Sequence, residues 1–303
     1  MLTPDRPPPE DYYQNNCRTL FGFVLRHYGD LLADSALTQL HRFAGLDDDA
    51  QRLFARLLTR KGPLLRVDSL NYAEITDLEQ ALRTLDTQGF IDLNPLAPAD
   101  QLLAQLKKSE LVEFARGSVR SSQSKSEMVH SLLSGRTEAQ IWRQLRQCLR
   151  WLKVADSSLW WLVRLLYFGD AVQDWSAFVI RDLGMVRYEP VAMDRRRFQS
   201  REALQLDLRY RRYSSLSRRI DEFPGLAGDL VKHMLGDEEQ ALARSDRFVR
   251  ARRDRTLVRI GRWHERLQQP RLACAAYASV QLHPARERMV RVLHKQGHSK
   301  QAA

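Results

Sequence analysis

Arg52, Arg56 and Arg60 recur every fourth residue beside an apolar stripe of Leu53, Phe54, Leu57 and Leu58, and Lys61 follows at once. Residues four apart on a helix share a face. The spacing therefore predicts three guanidinium groups and an ammonium on one exposed flank, with no acid between them. The arginine fork donates in parallel to two phosphate oxygens, and neutralising a polyanion releases its condensed counterions. The chemistry this suggests is recognition of phosphate.

Bond-breaking chemistry is harder to find. A divalent-metal nuclease needs two or three acidic ligands, usually with a lysine, and the restriction-type arrangement ends in Glu-x-Lys. None of the 14 glutamates is followed two residues later by lysine, and the Pro-Asp dipeptide at Pro4-Asp5 lies in a proline-rich lead. Neither a G-x-x-x-x-G-K phosphate loop nor a Gly-x-Ser-x-Gly elbow occurs. The eight histidines are scattered, and His264 beside Glu265 and His283 before Pro284 read as surface or cap residues. Asp221-Glu222 and Asp237 to Glu239 read as helix caps. Cys17, Cys148 and Cys274 are far apart among apolar residues, as reduced core thiols would be. The sequence predicts no catalytic centre and no metal ligand set in these residues.

The chain has 303 residues, 44% of them hydrophobic, enough for two or three domains. Its longest apolar stretch, Leu159 to Phe168, is interrupted by Arg164 and is far shorter than the ~20 residues of a membrane span. Acids and prolines stand where a secretory leader would be basic and then apolar, so a cytosolic protein is expected, associated with the nucleoid in a bacterial cell. Charge is uneven, −5 over residues 1–100 and +16 over residues 101–303. Such an excess favours a polyanionic partner. Arginine outnumbers lysine 40 to 8, however, so gene composition and solvated helix faces also fit.

Hydrophobic spacing outlines the elements that must position these cations. Leu20 with Val24, and Phe21 with Leu25, predict a helix from about Asp11 to His27. Asp47 to Asp49 open a second helix, which Gly62-Pro63 ends. Leu64 to Val67 predicts a short strand, a Thr76/Glu79 capping box a helix burying Leu78, Leu82 and Leu85, and Phe90 to Leu93 a second strand. This order resembles a winged helix over residues 1–97. Residues 98–136 read as two short helices about the polar loop Gly117 to Ser124, carrying Lys107, Lys108, Arg120 and Lys125. A SAP-like DNA-binding module and a plain helical hairpin with solvated lysines both fit. Residues 137–303 read as helical throughout. Ile141, Trp142, Leu145, Leu149 and Leu152 line one face against Arg143, Arg146, Arg150 and Lys153. Trp263, Leu267, Ala273, Ala276, Tyr277 and Pro284 have spacings reminiscent of an incomplete tetratricopeptide array. The expected fold class is mainly α: a winged-helix-like domain, a SAP-like helix-loop-helix, then a basic helical domain.

Several segments together resemble the Fanconi-associated nucleases, also called the VRR-NUC endonucleases. They are DYYQNNCRTL (11–20), LFARLLTRKGPLLRVDSLNYAEI (53–75), QGFIDL (88–93), RYEP (187–190), FQSR (198–201), GRWHERL (261–267) and HPARERMVRVL (283–293), in the family's order and spanning nearly the whole chain. The resemblance implies a structure-specific DNA repair nuclease acting on 5′ flaps and stepwise from 5′ ends in interstrand-crosslink repair. Its magnesium or manganese would sit in a C-terminal restriction-like domain, before which this sequence ends. By position, Tyr13, Arg56, Arg60 and Lys61 look like duplex contacts, and Arg262 like part of a phosphate-binding surface, although an internal salt bridge fits Arg262 equally. The expectation is a DNA-binding portion, inactive alone, without a cofactor of its own and partnered by double-stranded DNA with a flap or branch. A helical protein-interaction scaffold is the alternative.

Overall fold

The structure, a computed structural model, describes residues 11–62, 64–169, 175, 196–236 and 247–297. Helix α1 spans Tyr12–Tyr28, α2 Asp34–Ala44 and α3 Asp48–Thr59. The Asp47 carboxylate accepts from the Ala50 N–H at 2.8 Å, satisfying one of the donors a helix start leaves open. Asp47→Ala should therefore cost about 1 kcal/mol, read as a lower denaturant midpoint at unchanged slope. Strand β1 is Leu65–Arg66, α4 Leu78–Thr87 and β2 Ile91–Leu93. Asp77, rather than Thr76, caps α4, its carboxylate accepting from Gln80 N–H at 2.8 Å.

The helical face expected to run through Leu149 and Leu152 is broken. Helix α8, Glu138–Cys148, stops there, and Trp151–Val154 forms β3. This strand lies between the other two, antiparallel to both, pairing Leu65 with Leu152 and Asp92 with Lys153. β1 and β2 are too short to form a stable pair alone. Their hydrogen bonds are completed by the distant segment Trp151–Val154, which the division at residue 97 assigned elsewhere.

Residues 98–136 hold three helices rather than two: α5 Ala99–Gln105, α6 Lys108–Ala115 and α7 Lys125–Gly135. Their buried Leu102, Leu103, Leu111, Met128 and Leu132 share one core with Ile141 and Leu145 of α8 and with Trp151. A boundary at residue 136 would cut that core. Helix α9, Ser157–Phe168, buries Leu159, Trp160, Val163, Leu165 and Leu166. Its Trp160 meets Phe54 at 4.8 Å between ring centroids, and Phe54 meets Phe90 at 4.9 Å.

Contacts divide the chain into two compact units, residues 1–197 and 198–303. The second contains α10 Arg201–Leu216, α11 Gly225–Met234, α12 Arg247–Arg266, α13 Pro270–Ala278 and α14 Ala285–Lys295. Tyr210, Met234, Leu257, Ile260 and Trp263 are buried together. Asp207 is fully buried between Arg211 and Arg252, each 2.5 Å away. Asp221 accepts from the Trp263 indole at 2.8 Å instead of capping a helix. Leu267 is 48% exposed. Segments 187–190 and 237–239 lie outside the described residues. Among the described residues, no helix is long and apolar enough to cross a membrane.

Candidate nucleic-acid interface

The flank of α3 is not free of acids once the chain folds. Arg52 pairs with Asp11 at 2.8 Å and Asp49 at 3.1 Å. Arg56 pairs with Glu74 at 2.5 Å, a carboxylate only 9% exposed, and its guanidinium lies 3.8 Å from the centroid of the Tyr13 ring. Tyr72 stands beside it, 5.3 Å from the Arg56 guanidinium and 5.6 Å from that of Arg60. Its hydroxyl accepts from Arg60 Nε at 3.0 Å. Arg56 is thus largely committed to Glu74 and to the Tyr13 ring, a correction to the picture of a uniformly open flank. Arg60 and Lys61 are exposed at the end of the helix, and Lys61 has no partner among the described residues. Tyr72 and Glu74 were not among the site residues expected; they belong to a loop whose return to α3 no helical period encodes.

A second group of cations forms where α5 ends and α6 and α7 begin. Lys107 and Lys108 open α6, and Lys125 opens α7 while its Nζ donates to the Ala104 carbonyl at 2.7 Å. The backbone N–H groups of Lys107 and Ser124 donate to Glu110 and Glu127, so these lysines stand at capped helix starts. The Arg66 guanidinium beside Glu110 holds that carboxyl below its ordinary range. Arg120 is exposed on the intervening loop, its side chain without a partner among the described residues.

Among the described residues of 198–303 is a groove of about 750 Å³. Arg255, Arg259, Arg262 and Arg266 line it from α12, at helical intervals of four, three and four, which put them on one face. Leu282, His283 and Pro284 face it from the turn before α14, with Arg288. Arg262 and Arg255 are exposed and have no partner among the described residues, so the internal salt bridge allowed for Arg262 is not formed there. Arg266 reaches Asp221 at 3.4 Å. Burial, with Arg218 close by, lowers the pKa of the Arg259 guanidinium. Arg259 donates to the Ser217 hydroxyl at 2.7 Å and the Ser214 carbonyl at 3.2 Å, neither of which carries charge. The α12 periodicity was readable in the sequence, yet only Arg262 was singled out from it.

Among the described residues, no three His, Cys, Asp or Glu side chains are grouped to hold a metal. The side chains of these sites do not fit magnesium or manganese: the groove's one lining carboxylate among them, Glu265, already accepts from Tyr277 and Arg288.

Residues 11–92 match the model of the FAN1 helix-turn-helix domain. A Fanconi-associated nuclease 1 homolog of Pseudomonas aeruginosa is 35% identical over 207 residues, covering 64% of this chain and 36% of its own length. One from Arabidopsis thaliana is 31% identical over 198 residues, covering 60% of this chain and 22% of its own length. A crystal structure of paFAN1 bound to gapped DNA with a 2-nucleotide 5′ flap superposes with a TM-score of 0.79 at 28% identity, over 98% of this chain and 54% of that one. The chain therefore spans about half of that solved structure, and over that span it is similar to the Fanconi-associated nucleases.

Proposed function

We propose that this chain is the DNA-binding portion of a structure-specific repair nuclease, gripping duplex DNA near a flap or branch by its phosphates. The observation that carries this reading is the arginine groove. Four guanidinium groups share one helix face there, one of them partly desolvated and, among the described residues, hydrogen-bonded only to uncharged oxygens, an arrangement that a bound oxyanion relieves. Arg60 with Lys61, and Lys107, Lys108, Arg120 and Lys125, supply further phosphate contacts that track duplex shape rather than base sequence. That paFAN1 was crystallised on flapped DNA supports the same class of partner. Incision at 5′ flaps and stepwise 5′ digestion in crosslink repair, with magnesium or manganese, is assigned to the part of the family outside the matched region. Among the described residues, the scaffold alternative has no comparable site in its favour.

The test is ionic strength. With about six to ten phosphates neutralised by these cations, affinity for a flapped duplex should fall about a thousandfold or more between 50 and 200 mM salt, linearly on logarithmic axes. Equal affinity at both ends of that series overturns the proposal.

A further inference from the structure

We propose that the cleft between α6 and α8 is a docking site for a segment of a partner protein, one that inserts an aromatic or leucine side chain flanked by a basic and an acidic residue. The cleft encloses about 330 Å³, room for one such side chain and less than half the volume of the arginine groove. It adds a partner to a DNA-binding chain and does not replace the DNA. Buried Leu106 and Leu145 form its floor, and half-buried Phe114 and Leu149 its walls, all continuous with the core beneath. Arg136 fixes the walls. Its guanidinium donates to the Phe114 and Ala115 carbonyls at the end of α6, at 3.2 and 3.1 Å, and to Gln144 Oε1 on α8 at 2.9 Å. A hollow held open in this way costs little ordering when it is filled.

The charges on the rim define the occupant. Glu113 and Arg116 line the cleft, both exposed and neither with a side-chain partner among the described residues. Three residues apart on a helix, such a pair would ordinarily meet. Arg116 instead closes α6 in the left-handed region, at φ 48° and ψ 47°, where glycine or asparagine is the usual residue. That turn carries its side chain off the helical line, so the carboxylate and the guanidinium keep their charges for a ligand. Glu110, the other lining carboxylate, is already paired with Arg66 at 2.6 Å. An apolar hollow between one acceptor and one donor fork is complementary to a polypeptide with opposite charges about an apolar anchor. Duplex DNA offers only anions to such a rim.

Cys148 stands exposed at the rim and reports occupancy. Cys17 is buried, its thiol pushed up to about 12 by desolvation, and Cys274 is half-buried in the other unit. The measurement is iodoacetamide alkylation of the full chain, followed at each cysteine by peptide mass. Acetyl-Lys-Phe-Glu-amide at about 10 mM, roughly three times the dissociation constant expected of a single anchored side chain, should slow Cys148 about fourfold, with Cys274 unchanged. Acetyl-Lys-Ala-Glu-amide, lacking the anchor, should leave Cys148 at its free rate. Glu113→Lys, an exposed exchange on α6, should lose protection by the first peptide and gain it from acetyl-Glu-Phe-Glu-amide. Equal rates with and without acetyl-Lys-Phe-Glu-amide, or protection that survives Glu113→Lys, would overturn the proposal. So would protection by a saturating flapped duplex alone, which places the cleft in the nucleic-acid interface, or by raised protein concentration alone, which makes a second copy the occupant.

Discussion

Exchanging Arg60 and Lys61 together for glutamate should weaken binding of a flapped duplex about a hundredfold near 0.15 M salt, and should lower the slope of affinity against salt by roughly two. Both side chains are exposed at the end of α3, so the exchange removes two cations and adds two repelling anions without opening the core. Far-ultraviolet circular dichroism and the melting midpoint should stay close to wild type. Arg56→Glu is the instructive contrast. It would set a carboxylate against Glu74 and remove the guanidinium from the Tyr13 ring, so its first effect should be a loss of about 2 kcal/mol in stability. An affinity loss in that variant would not separate binding from folding. Arg60→Glu with Lys61→Glu does, and affinity within twofold of wild type would remove this surface from the interface.

Gly261→Ala should be the most destabilising single substitution among those considered. A Cβ at position 261 would stand within 3.0 Å of three atoms of the Tyr277 ring, nearer than side chains tolerate. Glycine here lets α12 and α13 approach closely, and the ring fills the space. Tyr277 is buried, and its hydroxyl donates to Glu265, which also receives Arg288 at the groove. Overpacking of this kind costs about 3 kcal/mol, so the melting midpoint of residues 198–303 should fall by about 10 °C or more. Tyr277→Leu in the same chain should recover part of the loss by making room. If Gly261→Ala melts within about 2 °C of wild type, the helices can part cheaply, and the groove is not held by this contact.

The sequence by itself determined the elements whose cause is local. Asp47 caps α3, apolar residues at helical spacing bury one face of α1, α3 and α4, and the polar loop around Arg120 separates α6 from α7. The family likeness was legible too, because its segments keep their order along the chain. Tertiary structure alone decided what depends on residues far apart. β3 reads locally as the end of a basic helix, and it becomes a strand because β1 and β2 leave unpaired edges that it completes. Arg56 reads as a free cation on an acid-free flank, and it is paired because the 72–74 loop brings Glu74 to it. His283 reads as a lone surface histidine, and it becomes a groove wall because α12 and α14 set their charges around one space. Helical period fixes which side chains share a face; which charges meet across faces is settled only when the core chooses how the helices pack.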